Sequence, residues 1–259
     1  MTALAPPARP ELPRSRSSVR RLIRAELRLL RRDPLTLTFV VAFPIVTMLI
    51  IGGSFGTRPD RSFADQNPAH WYVASYLTVV IAATGLVMLP VHIASYRERG
   101  VLRRFAAAGF SRWAFALAQL VLGLVAIAVA SALLLAVAAP VYGVPTVHGW
   151  TRVLTGFAVG SVGFTALGVL LDTLLPSARS AQAVGLLLFF PSFLLGAGGP
   201  PPHVMGSALR TIADPLPLTL VTRSIREPWL GIAPATGPLV AVAVLAVLAV
   251  AAAARRAAL

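Results

Sequence analysis

Lysine and cysteine are both absent from these 259 residues, and acidic residues number only nine. Without cysteine there is no disulfide framework and no thiolate metal site. Without lysine there is no P-loop, because that motif needs its lysine to reach the phosphates. If the protein moves a cargo uphill, another chain must supply the energy. Charge is scarce altogether: 12% of residues are charged, where a soluble domain carries roughly 25%. The four histidines, His70, His92, His148 and His203, are too scattered for the ligand spacing of a metal helix. They read as loop or interfacial residues.

What is present is apolar. Hydrophobic residues make up 57% of the chain and the mean hydropathy is +0.79, the composition of a membrane protein. The net charge of +14 comes entirely from arginine. Those arginines cluster at the ends of apolar runs and are not interleaved with aromatic residues, so the sequence offers no nucleic-acid platform. They read as orientation signals.

The fold class expected is an all-α integral membrane protein with six transmembrane helices. The spans run over about Leu35–Phe55, Trp71–Tyr96, Trp113–Ala139, Thr151–Leu175, Ala181–Ala197 and Gly231–Ala254. The fifth is short and interrupted by Pro191. The first apolar run starts only at Leu35, is too long for a signal-peptide core and is followed by no clear cleavage site. It is expected to be a retained span. Residues 1–16 read as a disordered tail and 34–259 as the six-span domain. Residues 17–33 read as an amphipathic helix, with Leu22, Ile23, Leu27 and Leu30 on one face and arginines on another. Such a helix lies in the interface, not across it; a soluble helix is the plainer alternative.

Arginine counting sets the orientation. With the N-terminus inside, the inner segments hold nine before Leu35, five from Arg97 to Arg112, then Arg179, Arg255 and Arg256. The outer segments hold six: Arg58, Arg61, Arg152, Arg210, Arg223 and Arg226. Both termini are therefore expected in the cytoplasm. The outer stretch from Gly196 to Pro228 is proline-punctuated, with apolar pieces too short to span. It is expected to form a re-entrant hairpin between spans five and six, with its backbone buried in protein or lining a cavity.

Few ionisable groups lie within the spans. Asp172, near the inner end of the fourth, can reach water or pair with Arg179. His92 lies near the inner end of the second, and Gln119 is the main buried amide of the third. An ion-coupled carrier usually keeps an acidic or histidine relay at depth, and none is visible. Ser161 beside Gly160 resembles half of an intramembrane serine protease site, but no histidine lies at its depth. Gly156 and Gly160 read more simply as a close-packing face.

One dense charged stretch remains, SYRERGVLRRFAAAGFSRW, Ser95 to Trp113. After Gly100, a short helix places Val101, Leu102 and Phe105 on one side and Arg103 and Arg104 on the other. Ser111 can cap the span that follows. An apolar ridge with a charged rim has the form of a docking surface; a topology anchor is the alternative.

Four stretches resemble one known family, the ABC type-2 permeases. RLIRAELRLLRRDPLTLTFVVAFPIV (Arg21–Val46) resembles their amino-terminal helix and first span. YRERGVLRRFAAAGFSRWAFALAQL (Tyr96–Leu120) resembles their charged loop between spans two and three. LGVLLDTLLPSARSAQAVG (Leu167–Gly185) is similar to the fourth-to-fifth junction, and DPLPLTLVTRSIRE (Asp214–Glu227) to the outer segment before the last span. The chain departs from the family at Gly109-Phe110, where a proline is usual, and at Asp214-Pro215, where Asn-Pro is usual.

The resemblance implies a permease subunit, no enzyme itself, paired with a second permease copy and with cytoplasmic P-loop ATP-binding subunits that hold the ATP and Mg²⁺. Arg97, Glu98, Arg99, Gly100, Leu102, Arg103, Arg104 and Phe105 would form the coupling helix to the ATPase. Arg20, Arg24, Glu26 and Arg28 would belong to the connecting helix beside it. The outer hairpin would cap the exit. The setting implied is a bacterial cytoplasmic membrane, with lipids around the spans, and the cargo an amphipathic or lipid-like drug or natural product. A lipid-linked glycan is the alternative cargo, and a non-transporting scaffold the alternative role. Phe39, Phe43, Phe189, Phe190 and Phe193 are candidates to line the path, unless they are packing or lipid-facing residues.

Overall fold

The computed structural model of the chain describes residues 23, 24, 27, 28, 38–107, 109 and 111–258. The predicted tail, and Arg20 and Glu26 of the connecting helix, lie outside the described residues. The principal helices among the described residues are α1 (Thr38–Ser54), α2 (Pro68–Glu98), α3 (Val101–Ala107), α4 (Arg112–Tyr142), α5 (Trp150–Leu174), α6 (Ala178–Ala197), α7 (Ser207–Ala213), α8 (Pro217–Leu230) and α9 (Thr236–Ala258). No strand occurs among the described residues. Helices α2, α4, α5, α6 and α9 are long and apolar enough to cross a membrane, and α1 is a shorter apolar helix. The chain is an all-α integral membrane protein.

Helix α2 is the axis of the bundle. Its sequence is apolar all round, which suits a helix with protein on every side. Helices α1, α4, α5, α6 and α8 all pack on it. Val73, Tyr76, Val79, Ile81 and Leu89, which point in different directions, are all 0% exposed. At 31 residues it is about 46 Å long by helical rise, well beyond a hydrocarbon core of about 30 Å. Its only charged residues, Arg97 and Glu98, lie in the last turn, SYRE.

Three in-span prolines sit beside wide, π-type turns. Pro44 follows the turn Thr38–Ala42, Pro90 follows Ala83–Met88, and Pro191 precedes Phe193–Ala197. A proline lacks an N–H and crowds the preceding turn, and a locally widened helix absorbs both effects. At Pro191 the wide turn lies after the proline, not in the turn it crowds, and α6 nevertheless stays continuous over 20 residues, where an interruption was expected.

The wide turn of α2 is also where its neighbours come closest. A Cβ on Gly85 would overlap the carbonyl of Phe164 in α5, one on Gly168 the carbonyl of Gly85, and one on Gly185 in α6 the carbonyl of Leu86. Glycine at these three places lets backbone approach backbone.

The outer segment is a helical hairpin. Gly156 and Gly160 seat α8 against α5: added methyls would stand 2.8 Å from the Ser224 carbonyl oxygen and 2.6 Å from Val221 Cγ1. The glycine pair thus packs within the chain. Pro217, which opens α8, shares an apolar wall with Gly163 and Phe164 of α5 and Val242 and Ala246 of α9. Those residues lie midway along their helices, so the hairpin reaches half the depth of the bundle. Arg226 lies buried over the Trp71 ring, 3.7 Å from its centroid, and donates from Nη1 to Ser75 Oγ at 3.3 Å. Thr222 and Thr78 hydroxyls meet at 2.8 Å. Trp229 Nε1 donates to the Pro145 carbonyl at 3.0 Å, tying α8 to the α4–α5 connection.

Gly168→Val or Gly185→Val should lower stability by about 1–3 kcal/mol, the usual range for overpacking, since the atoms in the way are backbone. Gly206→Ala, whose added methyl meets nothing within 4 Å, should be neutral. Thermal unfolding followed by size-exclusion of detergent-solubilised protein measures both.

Candidate functional site: the charged hairpin and the chamber above it

The charged stretch forms two structures. Its first part, Arg97 and Glu98, is the end of α2 and faces inward, toward α5 and α6. Arg97 Nη1 is 3.2 Å from Asp172 Oδ1 and donates to the Asp172 carbonyl at 2.9 Å, while Nη2 donates to the Leu175 carbonyl. It therefore satisfies carbonyls at the C-terminal end of α5, where a cation also complements the helix dipole. Glu98 does the converse: its Oε1 accepts from the N–H of Ala178, the first residue of α6, at 2.9 Å. Two consecutive residues grip two consecutive helices at ends of opposite polarity. A box between Ser177 and Ser180 completes the start of α6, the Ser177 hydroxyl accepting from the Ser180 N–H at 3.1 Å.

This arrangement corrects the expected partner of Asp172. Arg97, 75 residues away in sequence, takes it, and Arg179 is exposed. Arg97 and Glu98, assigned by resemblance to the docking surface, spend these contacts inside their own chain.

The second part is α3. Gly100 has a φ of +69°, a left-handed conformation that glycine adopts without Cβ strain, and it turns the chain from α2 into α3. The expected facing holds: Val101, Leu102 and Phe105 are half-buried and Arg103 and Arg104 exposed. Phe105 lies 6.1 Å from the Phe115 ring, and Phe115 lies 6.4 Å from Tyr96. This aromatic chain anchors α3 to α4 and α2. The expected cap of α4 is present, with the Ala114 N–H donating to Ser111 Oγ at 3.2 Å. Arg99, Arg103 and Arg104 form the exposed basic rim. Of the connecting-helix residues, Arg24 and Arg28 are helical and exposed, while Ile23 and Leu27 are half-buried, as an amphipathic stretch requires.

Beyond the clamp lies a chamber. Helices α1, α2 and α6 border a space of about 600 Å³ that is open on one side, lined by Phe39, Phe43, Val46, Val87, Met88, Leu186 and Phe190, with Thr47 and Gln182 among its few polar groups. A second, more polar space of about 470 Å³ lies toward Glu98, Ser177 and Arg179 and shares Val91 and Gln182 with the first. The five candidate phenylalanines do assemble, with Phe43 ring centroids 5.4–6.1 Å from those of Phe39, Phe189, Phe190 and Phe193. They divide in exposure. Phe39, Phe43 and Phe190 line the chamber, whereas Phe189 and Phe193 are 0% and 5% exposed and form the packing layer behind it.

Ser161 is buried in α5, and its hydroxyl has no hydrogen-bond partner among the described residues. A serine hydrolase needs a base within reach of its nucleophile. Gln119 is fully buried in α4 and does not line the chamber. No group of three or more metal-binding side chains occurs among the described residues.

A polytopic helical bundle with a charged hairpin beyond its second span is the architecture of an integral membrane protein. The family model for the ABC-2 type transporter matches residues 17–228, most of the chain. The chain belongs to the ABC-2 type transporter family and is a permease component. No curated protein and no solved structure gives a significant match.

Arg97→Met removes the cation from Asp172, which is 9% exposed, and leaves two helix-end carbonyls without their donor. The expected loss is about 1–3 kcal/mol, the cost of stranding a buried polar group. Arg99→Met on the exposed rim should stay within about 0.5 kcal/mol of the parent. Side-by-side thermal unfolding tests the difference.

Proposed function

We propose that this chain is the membrane-spanning half of an ATP-driven exporter for amphipathic or lipid-like compounds. Two copies pair with two cytoplasmic ATP-binding subunits, which hold the ATP and Mg²⁺. Both termini lie in the cytoplasm of a bacterial inner membrane, where arginine counting puts them. The observation that carries this reading is the chamber: a space of about 600 Å³, within the range of small-molecule sites. Its aromatic wall suits a planar or acyl body, and Thr47 and Gln182 supply orienting polar groups. A glycan body would need a wall richer in hydrogen-bonding groups, so the chamber favours a drug-like or natural-product cargo. The exposed rim of α3, with Arg99, Arg103 and Arg104 beside the half-buried Leu102, is the surface offered to the ATPase.

The hairpin fits the same reading. Arg210 and Asp214 form an ion pair at 3.6 Å, both exposed, on the descending limb and at its tip. The tip reaches mid-depth, where bare charge in lipid is costly. That face of α7 therefore belongs on a wet path or against protein, as in a subunit that caps an exit.

The test is recovery of the tagged chain from its native membranes in mild detergent, with co-purifying P-loop ATPases identified by mass spectrometry. An ATPase should accompany the parent and be lost from Arg103→Glu/Arg104→Glu. In inverted vesicles, ATP-dependent uptake of a planar aromatic dye should fall by about tenfold or more in Val46→Trp, which adds bulk to the chamber wall, because loss of about 1.4 kcal/mol of binding already costs that factor. ATPase recovery should be unchanged in that variant. No ATPase in the parent preparation, under several mild conditions, would overturn the reading.

A further inference from the structure

The clamp and the chamber share one face of one helix. Ala178, whose N–H is held by Glu98, stands at the start of α6. Gln182, Leu186 and Phe190 follow at intervals of four residues and all line the chamber. Residues four apart lie above one another on a helix, so the gripped edge of α6 continues directly into the chamber wall. The polar space that holds Glu98, Ser177 and Arg179 opens beside this edge and adjoins the chamber at Val91 and Gln182.

We propose that Arg97 and Glu98 are positioning residues that transmit movement of α3 to α6 and thereby set the width of the chamber, and that they do not dock the ATPase. This rests on the exporter reading above. The route is short. Only Arg99 and Gly100 separate Glu98 from α3, and the Gly100 turn is held by its N–H to the Arg97 carbonyl at 3.1 Å. A push on α3 reaches Arg97 and Glu98 before any other group of α2. Arg97 holds the end of α5 and Glu98 the start of α6, so the three-residue connection Leu175–Ser177 and both flanking helix ends are tied to the end of α2. The hydrogen bond to Ala178 links Glu98 to the helix that walls the chamber. It is made from an exposed carboxylate, which can release and re-form it without burying a charge.

The link can be cut from either side. Glu98→Ala removes the acceptor. Ala178→Pro removes the donor and leaves Glu98 and every residue of α3 untouched. Ala178 is the first residue of α6, the helix position that proline suits best, and Ser177 before it is already extended at φ −146° and ψ 160°, as a residue preceding proline should be. The absence of native cysteine makes Leu186→Cys the sole thiol, placed in the chamber wall.

The experiment uses the complex with its co-purified ATPase and follows the rate at which a water-soluble maleimide labels Leu186→Cys, without nucleotide and after trapping with ATP and vanadate. In the parent background the rate should change by about fivefold or more, the lower range of coupling between sites. In Glu98→Ala and in Ala178→Pro the ATPase should still co-purify, and trapping should leave the labelling rate unchanged. If Ala178→Pro retains the ATPase and the full change in labelling, the linkage is overturned while the exporter reading stands. Loss of the ATPase from a folded Glu98→Ala, with retention in Ala178→Pro, would return Glu98 to the docking surface and also overturn it. If the parent recovers no ATPase, the exporter reading falls and takes this inference with it.

Discussion

The constraint on which the structure depends is that α2 has no free face. A helix apolar on every side must find protein on every side if its packing is to be specific, because lipid would cover it equally well without fixing its neighbours. Five helices meet it. Their approach is set by backbone contact at Gly85, Gly168 and Gly185, where any side chain would force them apart. The wide turn at Ala83–Met88 lies at the same level. The most deformable stretch of the axis is therefore the one its neighbours hold most closely.

With lipid-like side chains throughout, the few charges decide orientation and register. The best buried of them are held in different ways. At one end Arg97 meets Asp172 and the last carbonyls of α5, and Glu98 meets the first N–H of α6. Toward the other end Arg226 is buried without an acidic partner among its hydrogen bonds and lies on the Trp71 ring. A desolvated cation over an indole is stabilised by roughly 2 kcal/mol, and that position admits little sliding of α8 along α2. Arg223 turns outward to Glu227 at 2.8 Å. These contacts pin both ends of the axis, which apolar packing alone would leave free to shift.

Much of this was legible in the sequence, because membrane spans are written in local composition. The apolar helices, the cap at Ser111, the facing of α3 and the tight Gly156–Gly160 face all depend on residues within a turn or two of one another. What was not legible depends on residues brought together from afar. Asp172 had Arg179 seven positions away, and local spacing favoured it; the partner, Arg97, arrives only because α2 runs past the end of α5. Phe189 and Phe190 are adjacent and alike in chemistry, yet a rotation of about 100° per residue puts one in the core and the other in the chamber. The hairpin was recognisable as a short, broken segment, but not as a helix seated on α2, α5 and α9. The alternation that betrays it, Leu218, Val221, Thr222, Ile225 and Trp229 on the buried side, was obscured by its prolines.

For a transporter permease, the distribution of packing matters as much as the fold. The Gly85–Gly168–Gly185 level cannot open without separating backbones, so it is the level most tightly held. To one side of it α6 walls the chamber and is held at its first residue by one hydrogen bond from Glu98; to the other the hairpin is held by Arg226, Thr222 and Trp229. Tight packing at the centre with polar, exchangeable contacts at the ends is the condition under which small movements at one end become discrete rearrangements, because packed cores are bistable and do not deform continuously. Helix α3, fixed to the axis by a glycine turn and an aromatic chain, belongs to that exchangeable end and lies outside the core that positions it.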